Sequence, residues 1–172
     1  MLKKKLFVIT TFLVSLSFNL SAQAVCVGLI QNDSTQKESR LTSMILQEEV
    51  LESLYEQGFI VTDTPFVNVS KKSEIKSALE KNINQAKEGA CLYLISLLAE
   101  YEKDIKSDPE VARLTGLKKI SWALMETQSK TVLKEGTIKV VSGSESDDES
   151  GVRKVIAPVL KEIAGELLKM QS

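Results

Sequence analysis

The stretch Val25-Cys26-Val27-Gly28-Leu29-Ile30 decides the fold of this chain. It is short and almost continuously apolar, which is typical of a strand buried on both faces, as in a parallel sheet. Gly28, inside this run, permits a close backbone approach. No Gly-rich loop follows the run, so the sequence does not indicate a phosphate-binding site.

Helical and strand-like patterns alternate after this stretch, which favours βαβ units and parallel pairing. Residues 35–57 show apolar residues at helical spacing, opened by a capping box at Thr35 and Glu38. Gly58 suits the left-handed position that ends such a helix. Residues 59–61 then predict the second strand.

The same alternation continues toward the middle of the chain. Residues 66–69 either extend the second strand or form a short edge segment, and a second helix follows that Gly89 stops. Its predicted buried stripe consists of Ile75, Leu79, Ile83 and Ala86. Residues 90–99 are apolar on both faces, so they predict a third, central strand.

The pattern changes to period two from Leu117, which predicts an antiparallel hairpin with a polar turn at 127–130 and a last strand at 131–141. The final helix runs to about Met170, and Pro158 is expected either to kink it or to mark its true start.

The predicted fold class is therefore α/β, with the order β-α-β-α-β-β-β-α. Three parallel strands and an antiparallel hairpin form one mixed five-stranded sheet with three main helices. Right-handed crossovers place the first strand between the second and the third.

The beginning of the chain has the pattern of an export signal. Three lysines at 3–5 precede an apolar run over 6–20, and a small-x-small site follows. A signal peptidase is expected to cut between Ala24 and Val25. Cys26 does not directly follow this bond, so an ordinary signal is favoured over a lipoprotein signal.

This cleavage divides the chain into a leader, 1–24, and a single accessory domain, 25–172. The leader holds three of the 22 basic residues and no acid, which leaves 19 basic against 23 acidic residues, a net charge near −4. No basic excess indicates nucleic-acid binding, and no stable membrane insertion is expected after the leader is removed. The lysine-only leader favours a periplasmic location.

Histidine is absent from the sequence. This excludes nucleophile triads that use histidine and removes the commonest metal ligand. Two cysteines without histidine are too few for a structural zinc site. The sequence therefore predicts no cofactor, metal or catalytic residue.

Cys26 and Cys91 form the sharpest candidate pair, because each lies one residue inside a predicted strand. If those strands are parallel neighbours in that register, about 4.8 Å apart, a disulfide can join them in an oxidising compartment. The alternative is two small buried apolar residues.

Three stretches resemble a group of bacterial envelope domains: 25–30 with 54–61, the strand around 92–95, and the hairpin 123–133. The chain is similar to the TolB amino-terminal domain, the penicillin-binding-protein activator lipoproteins and the periplasmic domain of the curli secretion channel. Ser129 stands near a position where the group often has glycine. The resemblance implies an accessory domain that binds another envelope protein, and not an enzyme.

The predicted hairpin also holds the candidate interface residues. Trp122 is either a partner anchor or a core residue that faces a helix. Lys134 and Glu135 lie in the last strand, and their charges discourage indiscriminate pairing at an edge.

Acidic residues allow two further interpretations. The loop at 142–151 either binds calcium or, as its spacing favours, complements the positive end of the last helix; its acids are Glu145, Asp147, Asp148 and Glu149. Paired acids suit acid–base chemistry only if they share one dry cleft; the candidate pairs are Glu48 with Glu49 and Asp104 with Asp108.

The sequence therefore predicts an exported, non-catalytic binding or accessory protein of an envelope assembly, with an envelope protein as its partner. A periplasmic small-ligand-binding protein is the first alternative, and a carboxylate-based hydrolase is the second.

Overall fold

The structure is a computed structural model that describes residues 24–32, 39–102, 110–141 and 143–171. The predicted leader up to residue 23, the capping box at Thr35 and Glu38, and the acids Asp104 and Asp108 lie outside the described residues.

One mixed sheet forms the centre of a single α/β domain, as predicted. Its strands are β1 (Ala24–Asn32), β2 (Ile60–Asp63), β3 (Val67–Val69), β4 (Tyr93–Tyr101), β5 (Leu117–Glu126) and β6 (Val132–Lys139). The helices are α1 (Arg40–Glu56), α2 (Ile75–Glu88) and α3 (Glu149–Gln171), and one 3-10 turn (Lys72–Glu74) precedes α2.

The strand order is β2-β1-β4-β5-β6, and β3 pairs with β1 beyond the end of β2. The first strand is therefore central, as the right-handed crossover rule predicts. β2, β3 and β4 run parallel to β1, whereas β5 and β6 are antiparallel to their neighbours. The short β2 and β3 share one side of β1, so they form a divided edge strand.

The beginning of the third parallel strand differs from the prediction. Strand β4 begins at Tyr93 rather than at residue 90, because Ala90 adopts a left-handed conformation with φ 54°. The amide of Cys91 donates to the carbonyl of Ala86 at 2.9 Å, which completes the end of α2. Cys91 therefore lies in a turn, and the prediction that it lies inside a strand is wrong.

Helix α3 continues through Pro158, which lies nine residues after the first residue, Glu149. The prediction that Pro158 marks the start of this helix is wrong. The amide of Gly151 donates to the Asp148 carboxylate at 3.0 Å, so Asp148 caps the helix well before the proline. Pro158 removes one backbone donor, and it is exposed, so water can satisfy the freed carbonyl.

The main core lies between the sheet and the helices α1 and α3. Alternate residues of the central strands supply it from one face of the sheet, and none of these side chains is more than 8% exposed; they include Val27, Leu29, Ile95, Leu97, Ile120 and Leu124. None of the helices in the described ranges is long and apolar enough to cross a membrane.

Candidate interaction surface

The two faces of the sheet are covered to different extents. Helices α1 and α3 pack over the first face, which we call the closed face. Among the described elements, α2 is the one helix that covers the second face, which we call the open face, and it lies over β1, β3 and β4. Met125 of β5 is buried in the cluster under α2, but most residues of β5 and β6 on this face stay accessible. Lys119, Ser121 and Ala123 are half-buried, and Glu135, Thr137 and Lys139 are exposed.

A groove of about 480 Å³ lies on the open face between α2 and β6. Ile75 and Leu79 of α2 form one wall, and Ile30 of β1 and Leu98 of β4 are large apolar residues of its floor, to which Trp122 of β5 also contributes. The rest of the groove is lined mainly by small or polar side chains, namely Ser96, Ser121, Ala123, Glu135 and Thr137. Because small side chains project little from a sheet, the floor leaves room for a partner to approach the strands.

One end of this groove is basic. Lys119 lies opposite Lys139 in the β5–β6 register, and both belong to the open face. Glu100 forms ion pairs with Lys119 and, at 3.7 Å, with Lys72. Lys139 has no ion-pair partner in the described part of the chain. Three lysines therefore meet one glutamate at this end, which leaves an excess of positive charge.

Trp122 is a core residue, which is one of the two interpretations that the sequence allowed, and not an exposed partner anchor. Its side chain is 3% exposed and belongs to the core cluster of the closed face. Gly136 lies directly opposite it on β6, and a methyl group there would come within 2.6 Å of the indole Nε1. The missing side chain of Gly136 therefore makes room for the indole.

The two charged candidates of β6 point to opposite faces of the sheet. Glu135 pairs in register with Ala123 and lines the groove, whereas Lys134 pairs with Leu124 on the closed face. Lys134 lies close enough to Glu166 of α3 to help lower the pKa of that carboxyl, after the larger effect of its hydrogen bond from Lys169. Only Glu135 of these two contributes to the groove.

A buried polar cluster lies under α2, beside the groove. Asn82 is fully buried, and a methyl group on Gly28 would come within 2.6 Å of its Nδ2 and 2.7 Å of the Thr64 Oγ1. The sequence predicts a close backbone approach at Gly28, whereas the atoms that crowd it belong to side chains. Neither polar atom of the Asn82 carboxamide has a hydrogen-bond partner among the described residues.

Cys26 and Cys91 are not register partners, because Cys26 lies opposite Leu94. The predicted register is wrong by three residues, since the turn after α2 delays the start of β4. Both cysteines are nonetheless free thiols, each 2% exposed, in one cluster under α2. Burial, followed by the neighbouring Cys91 thiol, raises the pKa of Cys26 to about 12, and burial also raises the pKa of Cys91.

The acids of the loop before α3 bind different neighbours. Asp147 accepts hydrogen bonds from the amide (2.7 Å) and hydroxyl (2.8 Å) of Thr115. Partial burial works against ionisation of Asp147, but these bonds and Arg113 outweigh it and lower the pKa. Asp148 caps α3, and Glu149 pairs with Arg153 at 2.7 Å. No group of three or more potential metal ligands is found among the described residues.

Glu48 and Glu49, the candidate pair within the described residues, lie in separate environments. Glu48 is exposed, while Glu49 points to Arg153 of α3 and forms an ion pair with it. Adjacent carboxylates with separate environments cannot act together on one substrate. The carboxylate-based hydrolase gains no support from these acids.

The groove was not predicted, although two features of the sequence indicate that part of the sheet is left uncovered. The alternation in β5 and β6 predicts one buried and one accessible face. Three helices are also too few to cover both faces of a sheet with five strand positions. These two signals together could have located the uncovered area.

The predicted cleavage site coincides with the beginning of the sheet. Ala24 is the first residue of β1, and its carbonyl accepts a hydrogen bond from the amide of Leu92 at 2.9 Å. A peptidase needs an extended, accessible substrate, so we expect cleavage between Ala24 and Val25 to precede the pairing of β1 with its neighbours.

The chain is similar in fold to three bacterial proteins of known structure. A PelC dodecamer from Paraburkholderia phytofirmans, solved as a single-residue variant, is 16% identical with a TM-score of 0.46, over 80% of this chain and 89% of that chain. TolB from Acinetobacter baumannii is 14% identical with a TM-score of 0.46, over 86% of this chain and 28% of that chain. The LpoB C-terminal domain from Escherichia coli is 14% identical with a TM-score of 0.40, over 75% of this chain and 94% of that chain.

The resemblance to TolB that the sequence predicts is confirmed by these matches, and at these identities it concerns the fold alone. No curated protein sequence matches the chain. Residues 24–168 match the model of a protein family described as "Uncharacterised protein", and the chain belongs to that family.

Proposed function

We propose that this protein is an exported, non-catalytic accessory protein of the bacterial envelope, and that the groove on its open face binds an amphipathic helix of an envelope protein. The observation that carries the proposal is the part of the open face that no described element covers, where α2 stops short of β6 and of most of β5. The export signal of the sequence supports the compartment.

The size of the uncovered area supports a helix as the occupant. Two neighbouring strands span about 10 Å, since strands lie about 4.8 Å apart. An α-helix with its side chains is about 10–12 Å in diameter. One further helix beside α2 would therefore cover β5 and β6, as two helices already cover the closed face.

The lining of the groove supports an amphipathic partner. Ile75, Leu79 and Leu98 offer an apolar wall and floor to the apolar stripe of a helix. The small residues Ser121 and Ala123 allow its side chains to reach the strands. Glu135 and Thr137 at the rim are exposed, so they suit the polar flank of such a helix.

The charge at the basic end supports an orientation. Lys119, Lys139 and Lys72 lie near the first turn of α2, at the end of the groove that Ile75 marks. The carboxyl end of a helix carries a partial negative charge. In the proposed complex the bound helix places its carboxyl end at these lysines and therefore runs antiparallel to α2.

The proposal is tested by photo-crosslinking in cells. A photoreactive residue at Thr137 is expected to crosslink to a helical segment of one envelope protein, which mass spectrometry identifies. The matched control is Lys161, an exposed residue on α3 at the other side of the molecule. Equal crosslinking from both positions contradicts the proposal.

A groove-filling variant and a synthetic peptide complete the test. Ser121→Trp places a large side chain in the groove and should abolish the Thr137 crosslink while the domain stays folded. A peptide of the crosslinked segment should bind the purified domain and lose affinity in Lys119→Glu/Lys139→Glu. Unchanged crosslinking in Ser121→Trp shows that the groove is not the binding site. Fractionation of the same cells tests the periplasmic location.

A small apolar ligand is the second candidate, because the groove volume of about 480 Å³ is that of a small-molecule site. This function predicts a rise in melting temperature with one class of apolar metabolite, which Ser121→Trp removes. It predicts no crosslink to a protein from Thr137.

A further inference from the structure

Two cysteines that are distant in sequence lie in one buried cluster under α2. Cys26 lies in β1 on the open face, and Cys91 lies in the turn between α2 and β4. They share a closed apolar cluster with Ile83, Ala86 and Leu94. Within this cluster each thiol lies near enough to affect the pKa of the other.

The backbone explains how they meet without being register partners. The amide of Leu92 donates to the carbonyl of Ala24 at 2.9 Å, and Tyr93 pairs with Val25. These contacts fix the turn after α2 over the beginning of β1. The sulfur of Cys91 also lies 3.8 Å from the carbonyl oxygen of Gly89, which holds it within the turn.

We propose that Cys26 and Cys91 form a disulfide bond when the chain folds in the oxidising compartment to which it is exported. The sequence contains no other cysteine, so no alternative pairing within the chain exists. This inference rests on the proposed export, but it does not depend on the partner or on the groove.

The oxidation balances with the disulfide of a thiol–disulfide oxidoreductase as the oxidant. One cysteine thiolate attacks that disulfide, forms a mixed disulfide and releases one oxidoreductase thiolate. The second cysteine thiolate then attacks the sulfur of the first cysteine and releases the other oxidoreductase thiolate. The chain loses two electrons and two protons, and the oxidoreductase becomes a dithiol.

The order of events follows from burial. In the folded domain both thiols are covered, and their raised pKa values leave little thiolate at neutral pH. Oxidation is therefore fast only before α2 packs on the sheet. Once formed, the bond is shielded from reductants by the same cluster.

The bond would link β1 covalently to the turn between α2 and β4. It closes a loop from residue 26 to residue 91, which contains α1, β2, β3 and α2. Long loops give the largest expected stabilisation, because the bond restricts the unfolded chain. It would also fix the carboxyl end of α2, the helix that forms one wall of the groove.

The thiol state is measured on the full chain produced in cells with its own leader. Proteins are alkylated in denaturant without prior reduction, and the intact mass is recorded for each cell fraction. The expected result is an unalkylated chain that is lighter by two hydrogens, whereas Cys91→Ala should take up one alkyl group. Two alkyl groups on the wild-type chain, or an adduct on either cysteine, overturn the proposal.

A refolding experiment separates this inference from the export proposal. The purified reduced chain is unfolded and refolded in a glutathione buffer poised like an oxidising compartment, so the result does not depend on where cells place the chain. The bond should form, and reductant should then lower the melting temperature by about 10 °C. The Cys26→Ala/Cys91→Ala variant should not respond to reductant. Persistent free thiols after refolding contradict the proposal.

Discussion

The two faces of the sheet use the same strands in different ways. On the closed face, α1 and α3 cover all the central strands, and residues such as Leu97 and Ile120 are fully buried. On the open face, α2 covers Cys26 of β1 and Met125 of β5 but leaves most of β5 and β6 accessible. The main core is therefore concentrated on the closed face, and the open face holds the groove to which we assign the proposed partner.

The hairpin shows this difference within single strands. Trp122 and Ser121 are neighbours in β5, yet the Trp122 side chain is buried in the core of the closed face, whereas Ser121 is half-buried on the open face and lines the groove. Adjacent residues of a strand point to opposite faces, so a pair of substitutions at neighbouring positions can measure the two faces separately.

The largest expected effect is at Trp122. Trp122→Ala should lower the free energy of unfolding by about 3–5 kcal/mol, because it leaves a cavity in the core of the closed face. Ser121→Ala, the matched control one residue away, should change it by less than about 0.5 kcal/mol. Urea denaturation of both variants provides the measurement. A similar cost at both positions would remove the distinction between the faces.

The next effect is at Gly136, opposite the indole. Gly136→Ala places a methyl group within 2.6 Å of Trp122 Nε1 and should cost about 1–3 kcal/mol through overpacking. Gly165→Ala is the matched control, because the methyl group added in α3 would have no neighbour within 4 Å beyond the adjacent backbone of its own helix. This control should stabilise the domain by about 0.5–1 kcal/mol. Thermal unfolding distinguishes the opposite signs.

The strand order could be predicted from the sequence, because different amounts of burial leave different patterns. The run 25–30 is apolar on both sides and proved central, whereas the period-two pattern after Leu117 proved to be the hairpin with one accessible face. The α/β class and the place of β1 in the sheet follow from these patterns together with the crossover rule.

The register between β1 and β4 could not be predicted in the same way. Both strands are apolar on each face, so sliding one along the other exposes no polar residue and the sequence gives no signal against it. The turn at Ala90 and Cys91 decides the register, and a left-handed alanine is not anticipated from propensity. The groove was missed for a related reason: the stripe on α2 shows that the helix is buried, but not which strands it covers.

The packing of α2 against β1 on the open face can be tested at Gly28. Gly28→Ala should cost about 1–3 kcal/mol, because its methyl group would come within 2.6 Å of the Asn82 Nδ2 and 2.7 Å of the Thr64 Oγ1. Asn82→Ala removes a carboxamide that has no hydrogen-bond partner among the described residues, so it should cost little.

The double variant sharpens this prediction. Gly28→Ala/Asn82→Ala should be more stable than the sum of the single effects by about 1 kcal/mol, because the added methyl group occupies space that the carboxamide vacates. Denaturant unfolding of the four proteins gives the coupling energy. Additive effects would show that α2 does not pack closely on β1, and that the open face is loose under the helix as well as beyond it.

The smallest effect concerns Asp147, which anchors the loop before α3 on the closed face. Its pKa in the folded protein lies below the unfolded value of about 3.9. The stabilisation is therefore complete above the unfolded value and is lost as the pH falls through the folded value. Asp147→Asn should reduce stability at neutral pH by at most about 0.5 kcal/mol, because the side chain is largely solvated.

The pH dependence isolates this contribution from other acids. The stability of Asp147→Asn should decline less steeply than that of the wild type below about pH 4, and the two curves should converge in acid. Glu162→Gln is the control, since it removes an exposed carboxylate of α3 that has no ion-pair partner in the described ranges. If both variants change the fall in stability at acid pH equally, Asp147 contributes only through the net charge of the protein. If only Asp147→Asn does, the contacts with Thr115 help to hold α3 on the closed face.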